Sequence, residues 1–266
     1  MAVIAPVRVF ANDGFGALST GGVTISKTDT IALKSEVLDI SCDKIHVSYD
    51  FVNESRQDED AFVLFPLPPY PANPSESGVL YHGQPHDFSI EVDGKSVSYD
   101  TEVKAIGKGR DITNDLKATG LTVEQIVNMP FDDSIINFDH VLLLPKKQVD
   151  ALTEKGFVVD NSPDWDVHVS YVWKQKFPAG STVHVEHTYK PFIAEGTSGG
   201  YPGWAKTSDY CLTEKQLDQL ETLYTNKENL DNYNEVPGTN LKYILTTANS
   251  WKDGIRDFKL IIRTKA

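Results

Sequence analysis

The chain has 266 residues, of which 40% are hydrophobic and 24% are charged. A chain of this length and composition folds as one large or two ordinary globular domains and needs no metal or disulfide framework. The formal net charge of -13 at pH 7 argues against non-specific binding to nucleic acid or anionic lipid, because phosphate groups attract surfaces rich in lysine and arginine.

The first eleven residues are typical of the end of a signal peptide. They are mostly apolar and finish with Val9, Phe10 and Ala11, a small-residue pattern that favours cleavage after Ala11. The apolar stretch is short and has no basic residues before it, so an edge strand ending in alanine is the alternative. We expect residues 1–11 to be a signal-peptide remnant and the protein to be periplasmic or secreted from a bacterium. No run of 18 apolar residues occurs, so we expect no membrane span.

Alternation of apolar and polar residues predicts β-strands along most of the chain. In residues 45–51 every second side chain is apolar, which is the period of a strand with one buried face. Asp93 and Gly94 interrupt the alternation of residues 88–99, as in a hairpin with a tight turn. The run Glu54–Asp60 lies between two strong strands and predicts an exposed hairpin loop. Further strands are predicted at 167–173, 183–189, 243–246 and 258–262.

Helices are predicted in the middle of the chain and once in its C-terminal half. Thr122 with Gln125 forms a capping-box pattern, and the stretch from Pro145 to Gly156 has proline at its start and glycine after its end. A third capping pattern opens a helix at 213–224.

These elements predict a mainly β protein with antiparallel β-sandwich regions, a short helical middle segment and one helix in the C-terminal half. The expected segments are the signal-peptide remnant at 1–11, an N-terminal β-sandwich region at 12–105, a helical and loop segment at 106–164, and a C-terminal β region at 165–266 packed on the first.

Residues 184–187 contain two histidines and a glutamate, which are metal-ligand types. On a strand, His184 and Glu186 face one way and His187 faces the other, so the two histidines do not converge on one ion. The sequence also lacks the G-x-S-x-G motif of serine hydrolases and a complete phosphate-binding loop. We therefore assign no catalytic residue, no metal site and no cofactor.

Two other features suggest sites. Cys42 and Cys211 form a disulfide in an exported protein or remain two buried thiols, and the sequence leaves both alternatives open. Tyr201 and Trp204 lie in a loop with three glycines and a proline, shortly before Tyr210. Exposed aromatic residues on such a loop present a ligand-binding surface, whereas buried ones close the end of a sandwich.

Three groups of residues carry a resemblance to a known family. They are 11–13 with 21–23 and 36–41, then 47–53 with 65–68, and finally 245–255 with 258–260; shorter pieces are 109–113 and 210–211. In order and over nearly the whole chain, they resemble the domain of unknown function family numbered 4424, a family of secreted bacterial proteins. The resemblance implies an exported envelope protein and supplies no catalytic residue. Residues 47–99 are also loosely similar to the vault/inter-alpha-trypsin domain, a β-sandwich interaction module.

The sequence therefore supports two hypotheses of function. The first is a non-enzymatic binding or interaction module of the cell envelope, with an envelope protein, a peptide or a glycan as its partner. The alternative is a hydrolase that acts on an envelope polymer through two carboxylates brought together by the fold, since 38 acidic residues offer many such pairs.

Overall fold

The structure is a computed structural model of the chain. It describes residues 13–19, 22–41, 43–72, 88–132, 141–190, 193–198, 213–215, 218–219, 236–241, 243 and 246–263.

Two seven-stranded sheets form the body of the protein. The first contains β1 (Gly14–Ser19), β2 (Gly22–Ile25), β5 (Glu59–Pro66), β6 (Tyr70–Pro71), β9 (Asp100–Gly107), β10 (Arg110–Asp111) and β15 (Asp166–Phe177). Its order is β10-β9-β15-β5-β1-β2, with β6 also paired to β15, and all its pairs are antiparallel.

The second sheet contains β3 (Ile31–Ser41), β4 (Ile45–Asn53), β7 (Ser89–Val92), β8 (Lys95–Ser96), β16 (Thr182–Tyr189), β19 (Lys252–Ile255) and β20 (Phe258–Arg263). Its order is β19-β3-β4-β16-β7-β8, and β20 also pairs with β3. The C-terminal strands β19 and β20 run parallel to β3, whereas the other pairs are antiparallel.

Shorter elements complete the described part of the chain. Three two-stranded ribbons pair β11 (Phe131–Asp132) with β12 (Val141–Leu142), β13 (Val158–Val159) with β14 (Ser162–Pro163), and β17 (Ile193–Ser198) with β18 (Val236–Leu241). The helices whose bounds lie within the described residues are α1 (Thr113–Ala118), α2 (Val123–Val127), α3 (Lys146–Glu154) and a 3₁₀ helix at Thr246–Ser250.

The core lies between the two sheets and is rich in aromatic side chains. Burial alternates strictly along β4, with the apolar residues of 45–51 inside and the polar ones partly exposed, so the predicted strand is confirmed. Across the interface, the ring of Phe65 on β5 lies 5.0 Å from that of His187 on β16, and Phe88 stacks on Tyr171 at 4.1 Å. The two sheets therefore pack face to face as a sandwich, and the protein is mainly β, as predicted.

The predicted helix signals in the middle of the chain are confirmed. The Thr122 side chain accepts a hydrogen bond from the Gln125 backbone N–H, and the Gln125 side chain accepts one from the Thr122 backbone N–H. Helix α3 follows Pro145 and ends before Gly156, whose φ is +69°, as the proline-to-glycine pattern predicts. Of the helix predicted at 213–224, residues 214–215 and 218–219 are helical and Thr213 is not; residues 216–217 and 220–224 lie outside the described residues.

The predicted hairpin loop at Glu54–Asp60 is wrong. Strand β4 ends at Asn53 in the second sheet and β5 begins at Glu59 in the first, so the connection crosses from one sheet to the other. The buried Asn53 side chain fixes this corner by donating hydrogen bonds to the carbonyl oxygens of Gln57 and Phe177, both at 2.8 Å. The strand predicted at 243–246 is also wrong at its end, because Thr246 begins the 3₁₀ helix.

Strands from both sides of the middle segment 106–164 pair side by side in each large sheet, as β15 does with β5 and β16 does with β4. The division into four segments stays a prediction. Within the described residues, no helix has the length and apolar character needed to cross a membrane.

Candidate functional site

The outer face of the second sheet carries a cluster of half-exposed polar side chains, which we call the histidine patch. It consists of His46, Ser48 and Asp50 on β4 and His184 and Glu186 on β16. In the antiparallel register, Asp50 lies opposite His184 and Ser48 lies opposite Glu186. Because alternate residues of a strand share one face, these five side chains stand together on the solvent side.

A chain of hydrogen bonds runs through this patch. The Nδ1 atom of His184 lies 2.8 Å from Oδ1 of Asp50, and the hydroxyl of Ser35 on β3 donates to Oδ2 of the same carboxylate at 2.9 Å. On the other side of the imidazole, Nε2 of His184 lies 3.5 Å from Oγ of Ser48. The carboxylate of Asp50 is therefore held from two sides, and it orients the His184 ring.

Glu186 lies between the two histidines of the patch. Its Oε1 atom is 3.4 Å from Nε2 of His46 and 3.6 Å from Nε2 of His184. The second nitrogen of His46, Nδ1, contacts the hydroxyl of Thr188 at 3.1 Å. Both rings therefore have one nitrogen held by a neighbouring side chain and the other directed at the same carboxylate.

This arrangement is not a preformed metal site. His46 and His184 are on neighbouring strands and differ by four positions along the ladder, which corresponds to about 13 Å of strand, so their rings approach Glu186 from opposite sides. Within the described ranges, no group of three or more His, Cys, Asp or Glu side chains is placed to hold a metal ion.

The electrostatics of the patch favour an ion pair between His184 and Asp50. Partial burial alone would lower the pKa of His184, but the hydrogen bond and charge of Asp50, together with the charge of Glu186, raise it above its ordinary value. Partial burial opposes ionisation of Asp50 too, yet the hydrogen bonds from His184 and Ser35 lower the pKa of this carboxyl. With side-chain exposures of 42% and 35%, the pair is accessible to a ligand from solvent.

The opposite face of β16 carries a histidine with a different role. His187 is completely buried, and its Nε2 atom lies 2.8 Å from Oδ1 of Asp13, which is buried to the same extent. The prediction that His184 and His187 face opposite ways is therefore confirmed. Solvent does not reach this pair, so we assign it to stability.

A shallow pocket lies at the corner between β4 and β5 and is lined by Thr30, Ser55, Arg56, Gln57, Asp58 and Glu59. Asp58 is already paired with Lys176 at 2.8 Å, and Glu59 accepts a hydrogen bond from Thr30 at 2.5 Å. Both carboxylates of the pocket are thus engaged, and the histidine patch is the stronger candidate.

The residues predicted for ligand binding and for a disulfide lie elsewhere. Tyr201, Trp204, Tyr210, Cys42 and Cys211 are all outside the described residues, so the aromatic loop and the disulfide stay predictions.

Sequence reasoning missed His46, Ser48 and Asp50 as site residues. Their positions in the alternation of β4 predict an outward face, but the partner strand β16 begins some 130 residues later in the chain. A signal in one sequence places such residues on a face and does not say which distant residues lie beside them.

The fold and the site define a two-sheet β-sandwich protein whose outer face carries a patch of histidine, serine and carboxylate side chains. The chain belongs to the family described as "Domain of unknown function (DUF4424)", whose model matches residues 11–266. This match confirms the resemblance seen in the sequence.

No curated protein matches the chain. Among solved structures, a crystal structure from Legionella pneumophila, of a protein provisionally named a nutrient binding protein, is similar over 69% of this chain with 16% sequence identity and a TM-score of 0.33. The matched part of this chain corresponds to 44% of that protein, so the chain spans less than half of its length.

Proposed function

We propose that the protein is an exported binding module of the bacterial cell envelope and that it recognises a polar ligand through the histidine patch. The observation that carries this proposal is the preorganisation of accessible polar groups. His184 is oriented by Asp50, and Asp50 is in turn held by Ser35. Side chains that are already ordered lose little rotamer entropy when a ligand binds, so more of the contact energy contributes to affinity.

The chemistry of the patch suits a ligand rich in hydroxyl or amide groups, such as an envelope glycan or a peptide. The carboxylate of Glu186 accepts hydrogen bonds, while Ser48 and the two imidazoles both donate and accept them. Glu186 is about one-third exposed, as is His46. A flat sheet face with such groups gives orientation and specificity by hydrogen bonding.

Export is supported by the small-residue pattern at Val9–Ala11 and by the start of the family match at residue 11. Asp13, two residues after the proposed cleavage point, is completely buried. Expression of the chain behind a complete signal peptide and mass determination of the exported product test this part. We expect an N-terminus at Asn12, and retention of residues 1–11 in the exported product would contradict it.

Ligand recognition is tested on an array of defined envelope glycans and synthetic peptides. The patch variants are Glu186→Gln and His184→Gln. Matched controls are Glu124→Gln on the exposed side of α2 and His168→Gln, which lies partly buried on the outer face of the first sheet. Loss of one hydrogen bond between the ligand and a charged group costs about 1.5–3 kcal/mol, so we expect binding about tenfold weaker or more in the patch variants and unchanged binding in the controls. Binding that is equal in all five proteins would refute the assignment to the patch.

The alternative of a polymer hydrolase with paired carboxylates gains no support from this face. A general acid for glycoside cleavage must be protonated near neutral pH, which requires a raised pKa. The pKa of Asp50 is instead lowered by His184 and Ser35. Asp50 therefore acts as an orienting group for His184.

A further inference from the structure

We propose that Ser48 is a base-activated nucleophile that accepts an acyl group from an activated ester or thioester, with His184 as the general base and Asp50 as the orienting carboxylate. This inference goes beyond ligand recognition and stands on the geometry of the patch alone. It assigns a chemical reactivity to one hydroxyl group on the outer face of the second sheet.

The geometry follows the order nucleophile, base and orienting group. Oγ of Ser48 lies 3.5 Å from Nε2 of His184, and Nδ1 of the same ring lies 2.8 Å from Oδ1 of Asp50. A carboxylate on Nδ1 keeps the proton of neutral imidazole on that nitrogen, which leaves the Nε2 lone pair directed at the hydroxyl. Nucleophile–base distances are commonly longer in the absence of a substrate than in its presence.

Ser35 holds the carboxylate of Asp50 in position. Its hydroxyl donates to Oδ2 of Asp50 at 2.9 Å, so the carboxylate cannot rotate away from the imidazole without losing this bond. The backbone of His184 is also fixed, because its N–H donates to Oδ1 of Asp93 and its carbonyl oxygen accepts from the Asp93 N–H, at 3.0 and 2.8 Å. Strand β3 thus holds the orienting carboxylate, and the turn at Asp93 holds the backbone of the base.

The proposed step is balanced within these groups and the acyl donor. Oγ of Ser48 attacks the carbonyl carbon of the donor while its proton passes to Nε2 of His184. The bond from that carbon to the leaving oxygen or sulfur then breaks, and His184 returns the proton to the leaving group. The product is an O-acyl serine, and no oxidant, reductant or metal takes part.

Protonation of His184 prevents the proposed acyl transfer to Ser48. Protonated Nε2 has no lone pair for Ser48, and its N–H points to Oε1 of Glu186, 3.6 Å away. The charged groups that act on the site are Asp50 and Glu186 beside the ring, Asp93 at the backbone, and Lys34 near Asp50. The first two favour the protonated ring, so acylation requires a pH above the raised pKa of His184.

The flat surface of the site limits how much the acyl transfer to Ser48 can be accelerated. The backbone N–H groups of the described strands β4 and β16 lie in a paired ladder, so these two strands supply no pair of amides for a developing oxyanion. General base catalysis alone contributes about 10²–10⁴-fold. We therefore expect one acyl group per chain that is lost slowly, without rapid turnover.

The test uses the full chain and p-nitrophenyl acetate as the probe. Peptide mapping by mass spectrometry follows acetyl transfer to Ser48 between pH 5.5 and 9, and amide NMR spectra confirm the fold of each variant. The variants are Ser48→Ala, His184→Gln and Asp50→Asn. Ser96→Ala is the matched control, since Ser96 is an exposed serine on β8 of the same sheet and does not belong to the histidine patch.

We expect acetylation of Ser48 in the native chain, with a rate that rises through the titration of His184 and falls about 100-fold or more in His184→Gln. Asp50→Asn should be slowed and its pH profile shifted towards lower pH, while Ser96→Ala stays within about threefold of the native rate, because the groups that supply the general-base contribution are unchanged. Acetyl groups confined to lysines or to the N-terminus, or a native rate at Ser48 in His184→Gln, would overturn the proposal.

Discussion

Replacement of Asp13 by alanine is expected to destabilise the protein strongly. The side chains of Asp13 and His187 are completely buried and joined by a 2.8 Å hydrogen bond, although 174 residues separate them. The His187 ring lies 5.0 Å from that of Phe65 and 5.3 Å from that of Trp173. The backbone oxygen of Asp13 also accepts a hydrogen bond from Nε1 of Trp251 at 2.5 Å.

The expected magnitude follows from what Asp13→Ala leaves behind. Loss of the carboxylate leaves Nε2 of His187 among aromatic rings without its acceptor, and breaking a buried pair in this way costs about 3–5 kcal/mol of unfolding free energy. Asp13→Asn keeps an oxygen that accepts from Nε2 and should cost about 1 kcal/mol or less at neutral pH, about the net value of one hydrogen bond.

The two variants also differ from the native chain in their dependence on pH. Burial raises the pKa of Asp13, and the nearby His187 only partly offsets this effect. A raised pKa means that the contribution of this carboxyl to stability is fully present below its unfolded pKa of about 3.9 and is lost as pH rises through the folded value. Asparagine does not titrate, so the deficit of Asp13→Asn should shrink between acid and neutral pH.

Urea unfolding followed by tryptophan fluorescence and far-UV circular dichroism measures these differences. Asp29→Ala, at an exposed position, is the matched control and should change the free energy of unfolding by about 0.5 kcal/mol or less. A cost below about 1 kcal/mol for Asp13→Ala, well under that of breaking a buried pair, would refute the reasoning. So would equal costs for the alanine and asparagine variants.

Three further outcomes are expected elsewhere in the molecule. Asn53→Ala should cost about 1–3 kcal/mol in urea unfolding, because the buried hydrogen bond from its side chain to the carbonyl oxygen of Phe177 is lost; a change in unfolding free energy near zero would contradict this. Gly16→Ala should lower thermal stability by about 1–3 kcal/mol, since the new Cβ would overlap Leu64. The carboxyl of Glu54 should stay ionised down to a pH of about 2 in an NMR titration, because basic side chains on and after β19 lower its pKa to about 2. Its ion pairs therefore stabilise the fold fully above the ordinary glutamate pKa, and this contribution is lost as pH falls through the folded-state pKa of about 2; titration near pH 4 would contradict these ion pairs.

Much of the fold could be predicted because the signals are local. The alternation in residues 45–51 predicts a half-buried strand, and β4 has that burial pattern. The capping residues of α2 and the Asp93–Gly94 turn are decided within four residues of sequence. At such positions backbone preference and side-chain hydrogen bonding act together, so one sequence is sufficient.

The pairing of distant strands could not be predicted in the same way. The loop at Glu54–Asp60 has the composition of a hairpin turn, yet it joins two sheets. That outcome depends on Asn53, whose side chain bonds the carbonyl oxygen of Phe177 more than a hundred residues away. The parallel pairing of β20 with β3 also depends on residues far apart in sequence. It joins residues 258–263 to the first fifth of the chain.

The candidate site depends on the same long-range register. A shift of β16 by one residue against β4 would turn His184 and Glu186 towards the core and His187 towards solvent. The shifted strand would bury two charged groups and separate His187 from Asp13, which costs several kcal/mol in a desolvated interior. The buried Asp13–His187 bond therefore selects the register in which His184 lies opposite Asp50 and next to Ser48. A residue on the inner face of β16 thus determines the assembly of the patch on its outer face.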